Sequence, residues 1–178
     1  MLELLVVSPS FWSATVLLLL LLPAVAGMLF GSPKGRSAEK VWAYRGSGVE
    51  VVLVLLPFAF YAVGNVLGGT YEKFMASAEL PMAAMILFAL PIFSVVKGQA
   101  AVGGRIASEA FAIVVLVAVF LMMSCGAYIS WLAYSDGVSP WFGVANSVLV
   151  VLAVILSFAV NAVMSYVSKC PEALGVQG

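Results

Sequence analysis

An apolar stretch between residues 50 and 69 carries most of the residues that could do chemistry inside a membrane. It contains a carboxylate, a proline, a phenol, a carboxamide and small glycines, at Glu50, Pro57, Tyr61, Asn65, Gly64 and Gly68. On a helix of about 3.6 residues per turn, these six positions fall within an arc of about 100°. The other side of the stretch is aliphatic or alanine. We therefore expect one face to meet lipid and the polar face to meet protein or water.

A carboxylate such as Glu50 could bind an ion or relay a proton if a second titratable group lay inside the membrane. No Asp, Lys or Arg falls in the middle of an apolar stretch, and Glu79 and Glu109 lie at the ends of such stretches. Glu50 is itself close to an end, where its side chain can reach water. The sequence thus argues against a proton-coupled carrier.

The last long apolar stretch carries a second polar stripe. Its members also share an arc of about 100° on a helix, and they are Gly143, Asn146, Ser147, Ser157, Asn161, Ser165 and Ser168. If the two stretches cross the membrane in opposite directions, a rise of about 1.5 Å per residue places Asn65 at the depth of Asn146. Glu50 then matches Ser165 or Ser168. We hypothesise that the two stripes face each other, within one subunit or between subunits, with an Asn pair contributing about 0.6 to 2 kcal/mol.

The composition disfavours catalysis and cofactor binding. The chain has no histidine, which removes His-ligated haem, His-containing metal centres and His-based triads. A serine nucleophile would need a nearby base, but the basic residues lie outside the apolar stretches. Asp136 is the only aspartate, so the paired aspartates of intramembrane proteolysis are missing. We predict no enzyme, metal or cofactor, and lipid processing through Glu50, Arg45 or Glu109 is the enzymatic alternative.

The elements that position these residues follow from composition. Apolar residues make up 64% of the 178 residues and charged residues 9%, far below the roughly 25% of soluble domains. The mean hydropathy is +1.17. We predict an all-α, polytopic membrane helical bundle that forms a single membrane domain over residues 1–178. About five transmembrane helices are expected, at about 11–30, 49–68, 79–96, 108–134 and 141–168. Pro91 should kink the third of them and free the carbonyl of Leu87.

The segment 31–47 is polar and basic. Its basic and aromatic side chains are Lys34, Arg36, Lys40, Trp42 and Arg45, with Tyr44 among them. We expect a cytoplasmic loop that lies on an anionic leaflet, contacts a cytoplasmic protein partner, or only fixes the topology. With the amino terminus outside and the carboxyl terminus cytoplasmic, seven of the eight Lys and Arg residues are cytoplasmic and Lys73 alone is external.

These features predict a non-catalytic integral membrane subunit, acting as an anchor, sensor or assembly factor of a larger or homo-oligomeric complex in the cell inner membrane. Expected partners are membrane lipids, further copies or other membrane subunits, and a cytoplasmic protein, but no nucleic acid. Gly64 and Gly68 form a small-xxx-small pattern, which suits packing within the bundle, an oligomer interface or a pore. The alternative function is a channel for a small solute. The residues that would line either the interface or the pore are Glu50, Pro57, Tyr61, Gly64, Asn65, Gly68, Asn146, Ser157, Asn161 and Ser165.

Overall fold

The computed structural model describes residues 37–70, 74, 77–101, 108–134 and 140–170, together with the isolated positions 21, 24, 25 and 28. Four long helices fill these ranges: α1 (Ala38–Leu67), α2 (Glu79–Ala101), α3 (Ser108–Tyr134) and α4 (Pro140–Lys169). All four are long and apolar enough to cross a membrane. The predicted all-α, multi-pass character is confirmed for four spans. The first of the five predicted spans, at 11–30, lies almost entirely outside the described residues.

Helix α1 begins well before its predicted start at residue 49. Ser37 caps it, because its side-chain oxygen accepts a hydrogen bond from the backbone N–H of Lys40 at 3.4 Å. Residues 38–47 of the predicted loop 31–47 are therefore helical, and Lys40, Trp42 and Arg45 lie on α1. The prediction followed the start of the apolar run, whereas the serine cap sets the start of the helix. Lys34 and Arg36 lie outside the described residues.

The contacts between helices give their directions. Tyr44 packs beside Phe158 and Trp42 beside Lys169, so α1 and α4 are antiparallel. Helices α2 and α4 are parallel, because Leu87 meets Ser157 and Ser94 meets Asn161. Helix α4 packs on both α1 and α2, while α3 packs mainly on α2. The core between them is formed largely by Val51, Leu55, Leu87, Phe88, Val150, Val154 and Phe158.

The two ends of the bundle differ in chemistry. At the end where α1 begins and α4 finishes lie all the Lys and Arg residues within the described ranges, namely Lys40, Arg45, Lys97 and Lys169. We call this the basic end. At the opposite end, the ring of Phe142 lies 5.1 Å from that of Trp131 and 5.9 Å from that of Tyr128. Aromatic rings and basic residues are typical of membrane–water interfaces, so the helices place interface residues at both ends.

Candidate functional site

A buried carboxamide on α4 joins three helices. The side-chain nitrogen Nδ2 of Asn161 donates a hydrogen bond to Oε2 of Glu50 on α1. Its oxygen Oδ1 accepts one from the hydroxyl of Ser94 on α2, at 2.8 Å. Asn161 is only 4% exposed, while Glu50 is exposed on its outer side. We call these three residues the polar node.

The polar node corrects the predicted depth match. Glu50 bonds Asn161, which lies one turn before Ser165, instead of Ser165 or Ser168. Ser94 was missed by sequence reasoning, although it is the only hydroxyl or amide side chain between Glu79 and Lys97 in an otherwise apolar helix. An isolated polar residue in such a helix indicates a hydrogen bond to another helix, because a polar group in hydrocarbon needs a partner.

Close to the polar node, a side chain of α4 also satisfies a backbone carbonyl of α2 that lacks its helical donor. Pro91 has no N–H, so the carbonyl of Leu87 loses its helical donor. The hydroxyl of Ser157 donates a hydrogen bond to this carbonyl, and Ser157 is fully buried. The sequence predicted that Pro91 would free the Leu87 carbonyl, but it did not identify Ser157 as the group that satisfies it.

Most polar side chains of the α4 stripe are buried or partly buried, whereas Ser168 is exposed. Asn146, Ser157 and Asn161 are buried, and Ser147 and Ser165 are partly buried. Asn65 makes two local hydrogen bonds: its amide donates to the carbonyl of Tyr61 at 2.9 Å and its Oδ1 accepts from the Thr70 hydroxyl at 2.9 Å. The connection after α1 turns sharply at Gly69, with φ of 67°, and brings Thr70 back to Asn65.

Most of the predicted polar face of α1 is turned away from the other described helices. Helix α1 packs inward through Val51, Leu55 and Ala62, whereas Pro57, Tyr61, Gly64 and Gly68 of its polar face are exposed. Lipid tails and a helix bundle core are equally apolar, so hydrophobicity alone does not choose between them. The exposed residues follow an i, i+3, i+4, i+7 pattern that we call the outer stripe: Pro57, Phe60, Tyr61, Gly64, Leu67 and Gly68.

The outer stripe contains open space at its centre. A Cβ atom added at Gly64 would meet nothing within 4 Å. Phe60 and Leu67, on either side of Gly64, are 70% and 83% exposed. Tyr61 is half-exposed, and its ring also contacts that of Phe74 at 5.7 Å, which fixes one edge of the stripe.

At the basic end, two cation–π contacts link α1 and α4. The Nζ atom of Lys169 lies 5.0 Å from the centre of the Trp42 ring, and Nζ of Lys40 lies 5.1 Å from that of Tyr166. Each contact pairs a lysine from one helix with a ring from the other. They hold the beginning of α1 against the end of α4, at the same end of the bundle as the polar node.

The polar side chains described above make contacts between helices. Among the described residues there is no group of three or more Cys, Asp or Glu side chains that could hold a metal ion. The described cysteines, Cys125 and Cys170, are both free thiols. The polar atoms of the polar node bond one another across helices, which fixes the relative position of α1, α2 and α4. The chain matches no family model, no curated protein and no solved structure.

Proposed function

We propose that this protein is a non-catalytic subunit of a homo-oligomeric complex in the inner membrane. It joins a second copy of itself through the outer stripe of α1 and presents its basic end at the cytoplasmic surface. The observation that carries the proposal is the exposed Gly64, where a side chain would meet only open space. Another helix can approach the backbone of α1 closely at Gly64, so this position can serve as the point of assembly.

Small residues on an exposed helix face favour association in membranes. Lipid chains are as apolar as leucine side chains, so helices associate through close packing rather than by escaping from solvent. Gly64 and Gly68 lie one turn apart and are both exposed, so they leave a groove along α1. Phe60 and Leu67 project beside that groove and can fill the groove of an identical helix. The same patch on two subunits forms an isologous interface with twofold symmetry.

The polar node supports this proposal because it fixes the orientation of α1. Glu50 is bonded to Asn161 near the basic end, and Val51 and Leu55 are buried against the core. A helix held in this way presents its opposite face in a defined direction. The outer stripe therefore lies on a rigid element, which favours a specific interface over a variable one.

The alternative, a permeation pathway lined by polar faces of α1 and α4, is less well supported. Ser94, Ser157 and Asn161 are buried and hydrogen-bonded to protein groups. Water or a solute passing between α1 and α4 would have to replace the bond between Asn161 and Glu50. A solute flux assay in proteoliposomes tests this alternative, and flux that is lost in a Gly64→Leu/Asn65→Leu variant would favour it over the subunit proposal.

Cysteine crosslinking tests the proposed interface directly in membranes. In a Cys170→Ser background, Gly64→Cys should form a disulfide-linked dimer under mild oxidation, because a close helix crossing brings the two Cα atoms within the range of about 4.4 to 6.8 Å that a disulfide needs. Gly126→Cys on α3 is the matched control, since its Cβ also meets nothing within 4 Å. Dimers at position 126 but not at position 64 would contradict the proposal.

A further inference from the structure

The basic end contains a recess between the beginning of α1 and the end of α4. Ala38, Glu39, Trp42 and Lys169 line it, and its volume is about 250 Å³. The recess has the size of a small polar group and opens to the outside of the bundle.

The recess lies at the depth of lipid headgroups. Helix α1 has 30 residues and is therefore about 45 Å long, which exceeds the hydrocarbon thickness of about 30 Å. Its first turns extend beyond the hydrocarbon region, and Trp42 is 69% exposed there. Exposed Trp and Lys side chains at a helix end are typical of the headgroup layer. A lipid is therefore the ligand that reaches this recess from the side.

The walls of the recess combine a cation, an anion and an aromatic face. The Lys169 ammonium, 5.0 Å from the centre of the Trp42 ring, can donate hydrogen bonds to a phosphate. Glu39 provides a carboxylate that can accept from an ammonium group, while the ring face of Trp42 holds the Lys169 ammonium in place. A purely anionic headgroup would match Lys169 but would face the like charge of Glu39.

We propose that this recess binds the zwitterionic phosphoethanolamine headgroup of a phospholipid, with the phosphate on Lys169 and the primary ammonium on the carboxylate of Glu39. The primary ammonium has three N–H donors for the carboxylate, whereas a choline headgroup has none. The site therefore distinguishes phosphatidylethanolamine from phosphatidylcholine. This inference goes beyond the proposed assembly, because the recess lies at the other end of α1 from Gly64 and does not require a dimer.

Native mass spectrometry of the full chain measures the preference for phosphatidylethanolamine over phosphatidylcholine. The protein is titrated with phosphatidylethanolamine, phosphatidylcholine or phosphatidylglycerol of identical acyl chains, and bound lipid is counted. Phosphatidylethanolamine should bind about tenfold more tightly than phosphatidylcholine, the effect expected for one hydrogen bond between charged groups. The mono- and dimethylated ethanolamine lipids should fall between the two. Equal binding of phosphatidylethanolamine and phosphatidylcholine, or stronger binding of phosphatidylglycerol, would overturn the proposal.

Three variants separate this site from a general attraction to lipid. Glu39→Gln should abolish the preference for ethanolamine over choline, and Lys169→Met should weaken binding of both lipids. Lys40→Met is the matched control, because Lys40 stacks on Tyr166 and does not line the recess. An equal decrease in bound lipid in the Lys40→Met and Lys169→Met variants would overturn the proposal. The same spectra report the oligomeric state, so monomers with the predicted lipid preference would contradict only the proposed dimer.

Discussion

The side-chain amide of Asn161 on α4 donates a hydrogen bond to the carboxylate of Glu50 on α1. This bond lies toward the basic end of the bundle, and the carbonyl oxygen of the same amide accepts from Ser94 on α2. One buried residue thus joins the two packing neighbours of α4 and sets the direction in which α1 presents its outer stripe. The first prediction tests this coupling.

Replacing Asn161 should destabilise the bundle through Glu50. Asn161→Leu removes the donor to Glu50 and the acceptor for Ser94, and we expect a loss of about 1 to 2 kcal/mol in the free energy of unfolding in mixed micelles. In a double-mutant cycle with Glu50→Leu, the coupling energy should be about 1 kcal/mol. Asn65→Leu is the control, because the hydrogen bonds of Asn65 within the described residues go to the neighbouring Tyr61 and Thr70, and it should show no coupling to Glu50.

The loss in the free energy of unfolding caused by Ser157→Ala should depend on whether Pro91 is present. Ser157→Ala leaves the Leu87 carbonyl buried without a donor, which should cost about 1 to 3 kcal/mol of unfolding free energy. Pro91→Ala restores a backbone N–H that can satisfy the same carbonyl. Ser157→Ala should therefore cost less in the Pro91→Ala background than in the native chain. Identical costs in both backgrounds, measured by unfolding in mixed micelles, would contradict the assigned role of Ser157.

A side chain at Gly98 should crowd Met164 in the contact between α2 and α4. A Cβ atom there would lie 2.6 Å from the sulfur of Met164. We expect Gly98→Leu to lower the free energy of unfolding by about 1 to 3 kcal/mol through overpacking. Met164→Ala should recover part of this loss, because it removes the atoms that clash. If the changes in the free energy of unfolding caused by Gly98→Leu and Met164→Ala simply add, Gly98 and Met164 do not pack as described.

The orientation remains a prediction that labelling can test. Cysteines introduced at Lys40, Lys97 or Lys169, in a Cys170→Ser background, should react with a membrane-impermeant maleimide only from the cytoplasmic side. A cysteine at Tyr134, which is 88% exposed at the opposite end, should react only from the outside. This result follows from the concentration of positive charge at one end. Labelling of position 40 from the outside of intact cells would reverse the proposed topology.

Sequence reasoning identified the spans and several polar residues because these depend on local patterns. Apolar length located four helices, and the missing N–H of Pro91 pointed to the Leu87 carbonyl. The polar periodicity of α4 selected Asn146, Ser157 and Asn161, which the structure buries. These inferences needed only the period of the helix and the chemistry of single residues.

Pairing between helices could not be read from the sequence in the same way. The rise per residue gives depth only relative to an assumed membrane boundary, and the boundaries were placed at the ends of the apolar runs. Glu50 was therefore matched to residues one or two turns from its actual partner Asn161. The aliphatic side of α1, which was expected to meet lipid, contributes Leu55 to the core, because a leucine is as compatible with lipid as with a core. Asn65 was expected to reach across helices, whereas the turn at Gly69 gave it a closer partner in Thr70.

Native mass measurement in lipid nanodiscs tests the proposed assembly through α1 most directly. Gly64→Leu should leave each subunit folded, because nothing lies within 4 Å of a Cβ at this position, and Gly126→Leu on α3 is the matched control. We predict dimers for the native chain and for Gly126→Leu, and monomers for Gly64→Leu. A native chain found only as monomers, or dimers that persist unchanged in Gly64→Leu, would contradict the proposal.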